Sequence, residues 1–238
     1  MDTLRTHLIL DFLKTKKRCT LAELMQEFKV SSATIHRDVD ALVRRDAVTR
    51  VRGGILWNDG ASPRAVEASD AYLDRVVTHR KAKVAIARKA ISRVEEGDIL
   101  FLDSSTTVYE FACRLREAHF QHLTIVTNAV AIMQNFRKFP PHYVLIGLGG
   151  CYDAQLNSIV GAATLDQLSR VTVTKAFVSA FGMDERNVTT NHERQAELID
   201  RVIAHAAHRY LLLDHSKFNR TGLYRLAPKG VFDEIISD

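Results

Sequence analysis

The chain has 238 residues, 46% of them hydrophobic, which suffices for one small and one medium folded unit. Residues 1–56 hold 11 Lys+Arg against 7 Asp+Glu, so +4 of the net charge of +5 lies there, on Lys14, Lys16, Lys17, Arg18, Arg44, Arg45, Arg50 and Arg52 among others. Such concentration of cations in one small unit points to nucleic acid. Cys19, Cys113 and Cys151 are far apart and form no CxxC spacing, which argues against a disulfide framework and a thiolate zinc site. No apolar run approaches the roughly 20 residues of a membrane span, and the N-terminus lacks a signal-peptide pattern, so a soluble, cytoplasmic protein is expected.

Thr20 and Glu23 have capping-box spacing, which predicts a helix from Leu21 burying Leu21, Leu24, Met25 and Phe28. Lys29-Val30 makes a turn. Ser31 is a natural N-cap for a second helix with Ile35, Val39 and Leu42 inward and Ser32, Thr34, His36 and Arg37 outward. Short polar side chains at an exposed helix start, with a cation one turn later, suit docking in a major groove. Val48 to Arg52 alternates like a strand, and Gly53-Gly54 permits the tight return of a β-wing that would bring Arg50 and Arg52 to backbone or minor groove. The bland alternative is a three-helix domain merely solvated by its basic residues. Capping, turn, helix and wing all agree on the sharper reading.

The stretch Leu4–Ile55 resembles the amino-terminal domain of DeoR-type bacterial transcriptional regulators, whose signature runs approximately S-x-x-T-I-R-R-D-L and ends in a basic segment with G-G. Here the residues are Ser31-Ser32-Ala33-Thr34-Ile35-His36-Arg37-Asp38-Val39 and later Arg52-Gly53-Gly54. His36 stands where that family usually has Arg, and a neutral imidazole holds phosphate less strongly than a guanidinium.

Trp57 to Arg64 is a cluster of loop residues, so the expected division is a winged helix-turn-helix domain over 1–57, a linker over 58–72 and a sensing and oligomerisation domain over 73–238. Tyr72–Val94 reads as one long amphipathic helix. Strands are then expected at Ile99–Leu102, Leu123–Val126, Tyr143–Ile146 (buried), Ala176–Ser179 and Tyr210–Leu213. Helices are expected at Thr106–Arg116, Ala129–Phe136, Ala162–Leu168 and His192–Ala207. Short apolar strands alternating with helices predict an α/β fold with a mainly parallel open sheet, whose ligands bind at the carboxyl ends of the strands. Polar residues cluster there: Asp103-Ser104-Ser105-Thr106-Thr107 opening a helix as an anion cradle, Thr127-Asn128, Gly147 to Gly150, and Asp214-His215-Ser216-Lys217. Helix capping alone explains any one of these; four on one edge favour a ligand crevice.

The resemblance to DeoR-type regulators extends over this domain, whose sensor resembles the sugar-phosphate isomerase and CoA-transferase fold. Its pieces are Asp103 to Thr107, Thr127-Asn128, Gly149-Gly150, Ser158 to Gly161, Gly182, Thr189-Thr190 and Asp214 to Phe218. The resemblance implies a phosphorylated sugar or related metabolite as effector, with Asp103 and Glu197 accepting hydroxyls and Ser105, Thr106, Thr107 and Lys217 holding the anion. This chain departs from it at Ile199, where a Lys is common, and at Cys151, where a longer polar side chain is common.

His205/His208 and His119/His122 have the i, i+3 spacing of two metal ligands on one helix face, but helix-end histidines explain them more simply, and no metal or cofactor is expected. Asp103, Glu197 and Lys217 would also serve an aldose–ketose isomerase, the alternative reading. A purely architectural DNA binder leaves the second domain unexplained. The expected protein is therefore a non-enzymatic DNA-binding regulator, a repressor of sugar-metabolism genes released by a small effector. Because one winged domain has a modest footprint, it should act on operator DNA as a homodimer or homotetramer.

Overall fold

A computed structural model describes residues 3–44, 47–58 and 71–238. The chain divides into two units, Met1–Thr78 and His79–Asp238. The first contains α1 (Thr3–Lys16), β1 (Arg18–Cys19), α2 (Leu21–Phe28), α3 (Ser32–Arg44), β2 (Val48–Val51), β3 (Gly54–Trp57) and α4 (Ala71–Val77). The capping box is formed: Thr20 Oγ1 accepts from Glu23 N at 3.1 Å, and Glu23 Oε2 accepts from Thr20 N at 2.8 Å. Lys29 closes α2 in the left-handed region at φ 48°. Ile9, Leu13, Leu24, Ile35, Val39, Leu42, Val48 and Ile55 form the core of this unit. β2 and β3 make the wing, and β1 pairs with β3 on its other side. Gly53 turns the tip at φ +86°, while a Cβ on Gly54 would lie 2.3 Å from the Cys19 carbonyl oxygen.

Tyr72–Val94 is not one helix. α4 ends at Val77, His79 takes φ 53°, and α5 (Arg80–Ala90) begins afresh, followed by a 3₁₀ turn over Ile91–Arg93. Val76-Val77-Thr78 is a β-branched run, and Thr78 turns both its N–H and its hydroxyl back onto the Asp74 carbonyl, at 3.1 and 2.8 Å. α4 packs on α1 in the first unit, and the chain passes into the second unit after Thr78. Most of the expected linker lies outside the described residues.

The second unit continues with β4 (Ile99–Leu102), α6 (Thr106–Leu115), β5 (Thr124–Thr127), α7 (Val130–Asn135), β6 (Val144–Gly147), β7 (Cys151–Asp153), β8 (Ser158–Val160), α8 (Ala162–Leu168) and β9 (Val173–Val178). It ends with β10 (Gly182–Met183), β11 (Asn187–Thr190), α9 (Glu193–His205), β12 (Ala206–Leu212), β13 (Tyr224–Pro228) and β14 (Glu234–Ile236). The main sheet has the order β14-β12-β9-β4-β5-β6, parallel throughout. Its central strands are buried, with Phe177 against Phe111 and stacked on Tyr210 at centroid distances of 4.5 and 4.8 Å. β10, β11 and β13 form a small antiparallel sheet, and β7 and β8 a hairpin.

Two expectations about the strands are corrected. Tyr143–Ile146 was expected to be buried, but the strand is β6 at the sheet edge, and Val144 is 53% exposed. An edge strand has a neighbour on one side only, so its apolar run does not report two covered faces. Likewise the series of strands expected from the sequence ends with Tyr210–Leu213, whereas β13 and β14 follow β12. The histidine pairs do not share a helix face either: α9 stops at His205, which leaves His208 in β12, and His119 and His122 lie in the loop after α6.

At the amino ends of the strands a buried ion pair fixes β9 to the loop before β4. Lys175 Nζ lies 2.9 Å from Asp98 Oδ2 and 2.9 Å from the exposed Glu95. Asp98 also accepts from Glu95 N at 2.7 Å and Thr174 Oγ1 at 3.0 Å. Lys175→Met leaves a buried carboxylate without its cation and should cost about 3–5 kcal/mol in urea unfolding. Glu95→Gln, which touches only the exposed partner, should cost no more than about 1 kcal/mol. Equal, small losses from both variants would contradict a buried, mutually dependent pair.

Candidate functional site

α3 presents Ser32, His36 and Arg37 to solvent, with Thr34 half-buried and its hydroxyl 3.0 Å from Ser31 Oγ. Arg37 lies back along the helix, its Nε donating to the Ala33 carbonyl at 3.2 Å. Between these exposed residues Asp38 is only 1% exposed, and Arg5 of α1 grips it through Nε to Oδ2 and through Nη2 to Oδ1, the latter at 3.1 Å. The Asp in the signature therefore orients α3 from behind, a role its spacing did not announce. Arg50 of the wing pairs with Asp40 of α3 at 2.5 Å, both groups being exposed. Such a pair is worth at most about 1 kcal/mol, so a phosphate can displace it. Arg52 stands exposed beside the wing tip.

In the second unit the parallel sheet brings the carboxyl ends of β12, β9, β4, β5 and β6 to one edge, in that order. Asp103, directly after β4, is 1% exposed and joins two of them: Oδ1 accepts from Ser105 N at 2.8 Å and Oδ2 from Ser179 N, after β9, at 2.8 Å. Burial pushes its carboxyl up to about 6, against the pull of those hydrogen bonds and the charge of Lys217. Ser105 caps α6 through Val108 N at 3.2 Å. Thr127 Oγ1 donates to the Leu102 carbonyl at 2.6 Å and accepts from Ala129 N at 3.0 Å. Asn128 Nδ2 donates to the Ile159 carbonyl at 3.1 Å, which fixes the β7–β8 hairpin to the end of β5. Gly149 donates to Gln167 Oε1 at 2.8 Å, and its carbonyl accepts from Thr164 at 2.9 Å. Lys217 Nζ donates to the Ala180 carbonyl at 2.8 Å.

Among the described residues, the buried side-chain atoms without a hydrogen bond are Thr107 Oγ1, Asn128 Oδ1, Ser158 Oγ, Ser179 Oγ, Asp214 Oδ2 and Arg114 Nε. All except Arg114 belong to this edge. Unmet polar atoms are costly in a core, and their gathering here marks a place kept for polar contacts rather than for stability.

The sequence matches the DeoR-like helix-turn-helix domain over residues 5–60 and the DeoR C terminal sensor domain over residues 78–238. The chain belongs to the DeoR family. The HTH-type transcriptional repressor GlcR of Bacillus subtilis (strain 168) is 30% identical over 230 residues, covering 97% of this chain and 86% of its own. The L-fucose operon activator of Escherichia coli (strain K12) is 28% identical over 243 residues, covering 100% and 96%. A ribose 5-phosphate isomerase A structure from Methanocaldococcus jannaschii gives a TM-score of 0.41 at 18% identity, over 58% of this chain and 54% of that one.

Against this DeoR framework, Asp103, Ser104, Ser105, Thr106, Thr107, Thr127, Asn128 and Lys217 share the strand-end edge, and Gly149-Gly150 border it after β6. Glu197 is exposed on α9, and among the described residues no hydrogen bond or ion pair ties it to the edge. Ile199 is 1% exposed within the apolar core beside Leu198 and Val202, so position 199 does not face solvent in this chain. Ser158 and Ser179 were absent from the expected site. Ser158 was part of a recognised motif, but only the fold sets it against β5, bridging to Ala129.

Asp103 has its folded-state pKa raised above the ordinary carboxylate value of 3.8. The folded protein therefore holds that proton more tightly, and the stability this gives is complete below about 4 and is lost as pH rises through about 6. Carbon-detected NMR should give the Asp103 carboxyl a midpoint near 6, and wild type should lose stability relative to Asp103→Asn across that window. A midpoint at the ordinary value, with parallel stability curves, would contradict a buried, strand-linking carboxylate.

Proposed function

We propose that this DeoR-family regulator is a repressor of genes for uptake or catabolism of a sugar or sugar derivative. It binds operator DNA through α3 and the wing and is released by a small phosphorylated sugar-like effector held at the strand ends. The observation that carries this reading is the coexistence, in one chain, of a basic winged helix-turn-helix and an edge where buried polar atoms lack partners. Ser32, Thr34, His36 and Arg37 contact the major groove, and Arg50 and Arg52 contact backbone or minor groove. In the sensor, Asp103 and Glu197 accept ligand hydroxyls, while Ser104 to Thr107 at the start of α6, together with Lys217, hold the anion. Thr127, Asn128, Gly149 and Gly150 complete the crevice. The names of the relatives support a sugar-linked regulator, one being a repressor and one an activator of a fucose operon. The protein works in the cytoplasm as a homodimer or homotetramer, because paired domains are needed to read repeated half-sites.

Asp103 separates this reading from a sugar-phosphate isomerase. Both its oxygens already accept backbone N–H groups that hold the ends of β4 and β9. A carboxylate committed to fixing the backbone is poorly placed as a mobile general base, whereas it suits a site that binds without turnover.

Retardation of the protein's own upstream DNA tests the regulator directly. Wild type should shift that fragment, and a member of a sugar-phosphate panel should release it. Arg37→Ala should weaken binding by roughly 1–3 kcal/mol, and Arg52→Ala should lower the salt slope by about one unit. Wild-type behaviour of both variants across salt concentrations would refute the docking geometry.

Light scattering tests the assembly. At micromolar concentration the mass should be two or four times the 26.8 kDa of the chain, with or without DNA. A monomer in both conditions would refute paired binding.

A further inference from the structure

Three consecutive residues leaving the end of β9 each clasp a different partner. Ser179 N donates to Asp103 Oδ2 at 2.8 Å, the Ala180 carbonyl accepts from Lys217 Nζ at 2.8 Å, and the Phe181 ring carries the Arg220 guanidinium 4.6 Å from its centroid. Asp103 and Lys217 are charged residues of the proposed effector site, and the third of these partners, Arg220, is also charged. It was not among the expected site residues.

The segment that bears Arg220 is tightly held. After Lys217 the chain bridges to Met183 through Phe218, turns at Asn219 with φ 55°, and is pinned by Gly222 N to Thr189 Oγ1 at 2.7 Å and Leu223 N to Asn191 Oδ1 at 3.1 Å. It lies so close to β10 that a Cβ on Gly182 would fall 2.2 Å from the Arg220 carbonyl oxygen. With its backbone held in this way, Arg220 adds only side-chain ordering to the cost of binding a ligand.

Its chemistry is unspent. Arg220 is exposed, and among the described residues its guanidinium makes no ion pair or hydrogen bond; it lies over the face of Phe181. A contact of this kind with a ring face leaves the guanidinium N–H donors available to a planar anion or two phosphate oxygens.

We infer that Arg220 is an effector-binding residue, supplying with Lys217 the paired cations that take the ligand's phosphate or carboxylate. The inference rests on the effector site proposed above and adds to it the residue that selects for the anion. A lysine at position 199 could not play this part, since that side chain sits in the core.

The test uses the full chain, thermal denaturation and three probes: inorganic phosphate, glucose 6-phosphate and glucose, at constant ionic strength. Wild type should be stabilised by at least one of the two phosphorylated probes and not by glucose. Arg220→Ala should weaken the apparent affinity for that probe roughly tenfold or more, as expected for loss of a charge-assisted contact. Arg220→Lys should recover part of the loss, and Arg225→Ala, on β13, should behave as wild type. If wild type responds and Arg220→Ala responds equally, the role of Arg220 is overturned while the effector site stands. If wild type responds to neither phosphorylated probe, or equally to glucose, the phosphate reading of the site fails and takes this inference with it.

Discussion

Asp103 is the constraint on which the sensing unit depends. In a parallel sheet the strand ends would diverge into separate loops, each able to choose its own path. One buried carboxylate, accepting from Ser105 N and Ser179 N, ties the exit of β4 to the exit of β9 and sets the first turn of α6 at the same time. Keeping that carboxyl buried is costly enough to push it up to about 6, and two backbone N–H donors with the nearby Lys217 charge offset part of the cost. Around this fixed point stand hydroxyls, an amide oxygen and a carboxylate oxygen that have no hydrogen-bond partner among the described residues. The charge that organises the edge thus has a structural task beside its place in the proposed site, and its neighbours add further polar groups for a ligand.

The opposite edge of the sheet shows what a purely structural arrangement looks like. There Asp98, Lys175 and Thr174 satisfy one another, and a surface glutamate completes the set. One end of the sheet has its buried charges paired and its hydrogen bonds made; the other leaves Thr107, Asn128, Ser158, Ser179 and Asp214 short of partners. That asymmetry, more than any single residue, distinguishes the sensing end from the supporting end.

Local rules carried far in the sequence where the signal was local. Thr20 and Glu23 form their capping box, α3 buries Ile35, Val39 and Leu42, and the strands expected at 99–102 and 176–179 are central strands, though the latter runs from Val173 to Val178. Local rules stopped where the third dimension decides. The helix expected over Tyr72–Val94 breaks at His79 because its two halves bury against different units, and hydrophobic periodicity does not record which core a face meets. The strands at 151–153, 158–160 and 182–183 are two or three residues long and owe their form to partners, so they carry no pattern of their own. Arg5 with Asp38, and Arg220 with Phe181, are contacts between residues more than thirty positions apart, and composition is silent about both.

Hydrogen exchange of the full chain, with and without a hexose phosphate that releases operator DNA, tests the central claim most directly. The account predicts slowed exchange confined within the sensing unit to the strand-end segments around Ser105, Asn128, Ser179 to Phe181 and Lys217 to Arg220, because a ligand there would fill the contacts these groups lack. Protection at the Asp98–Lys175 end instead, with the strand-end segments unchanged, would contradict it.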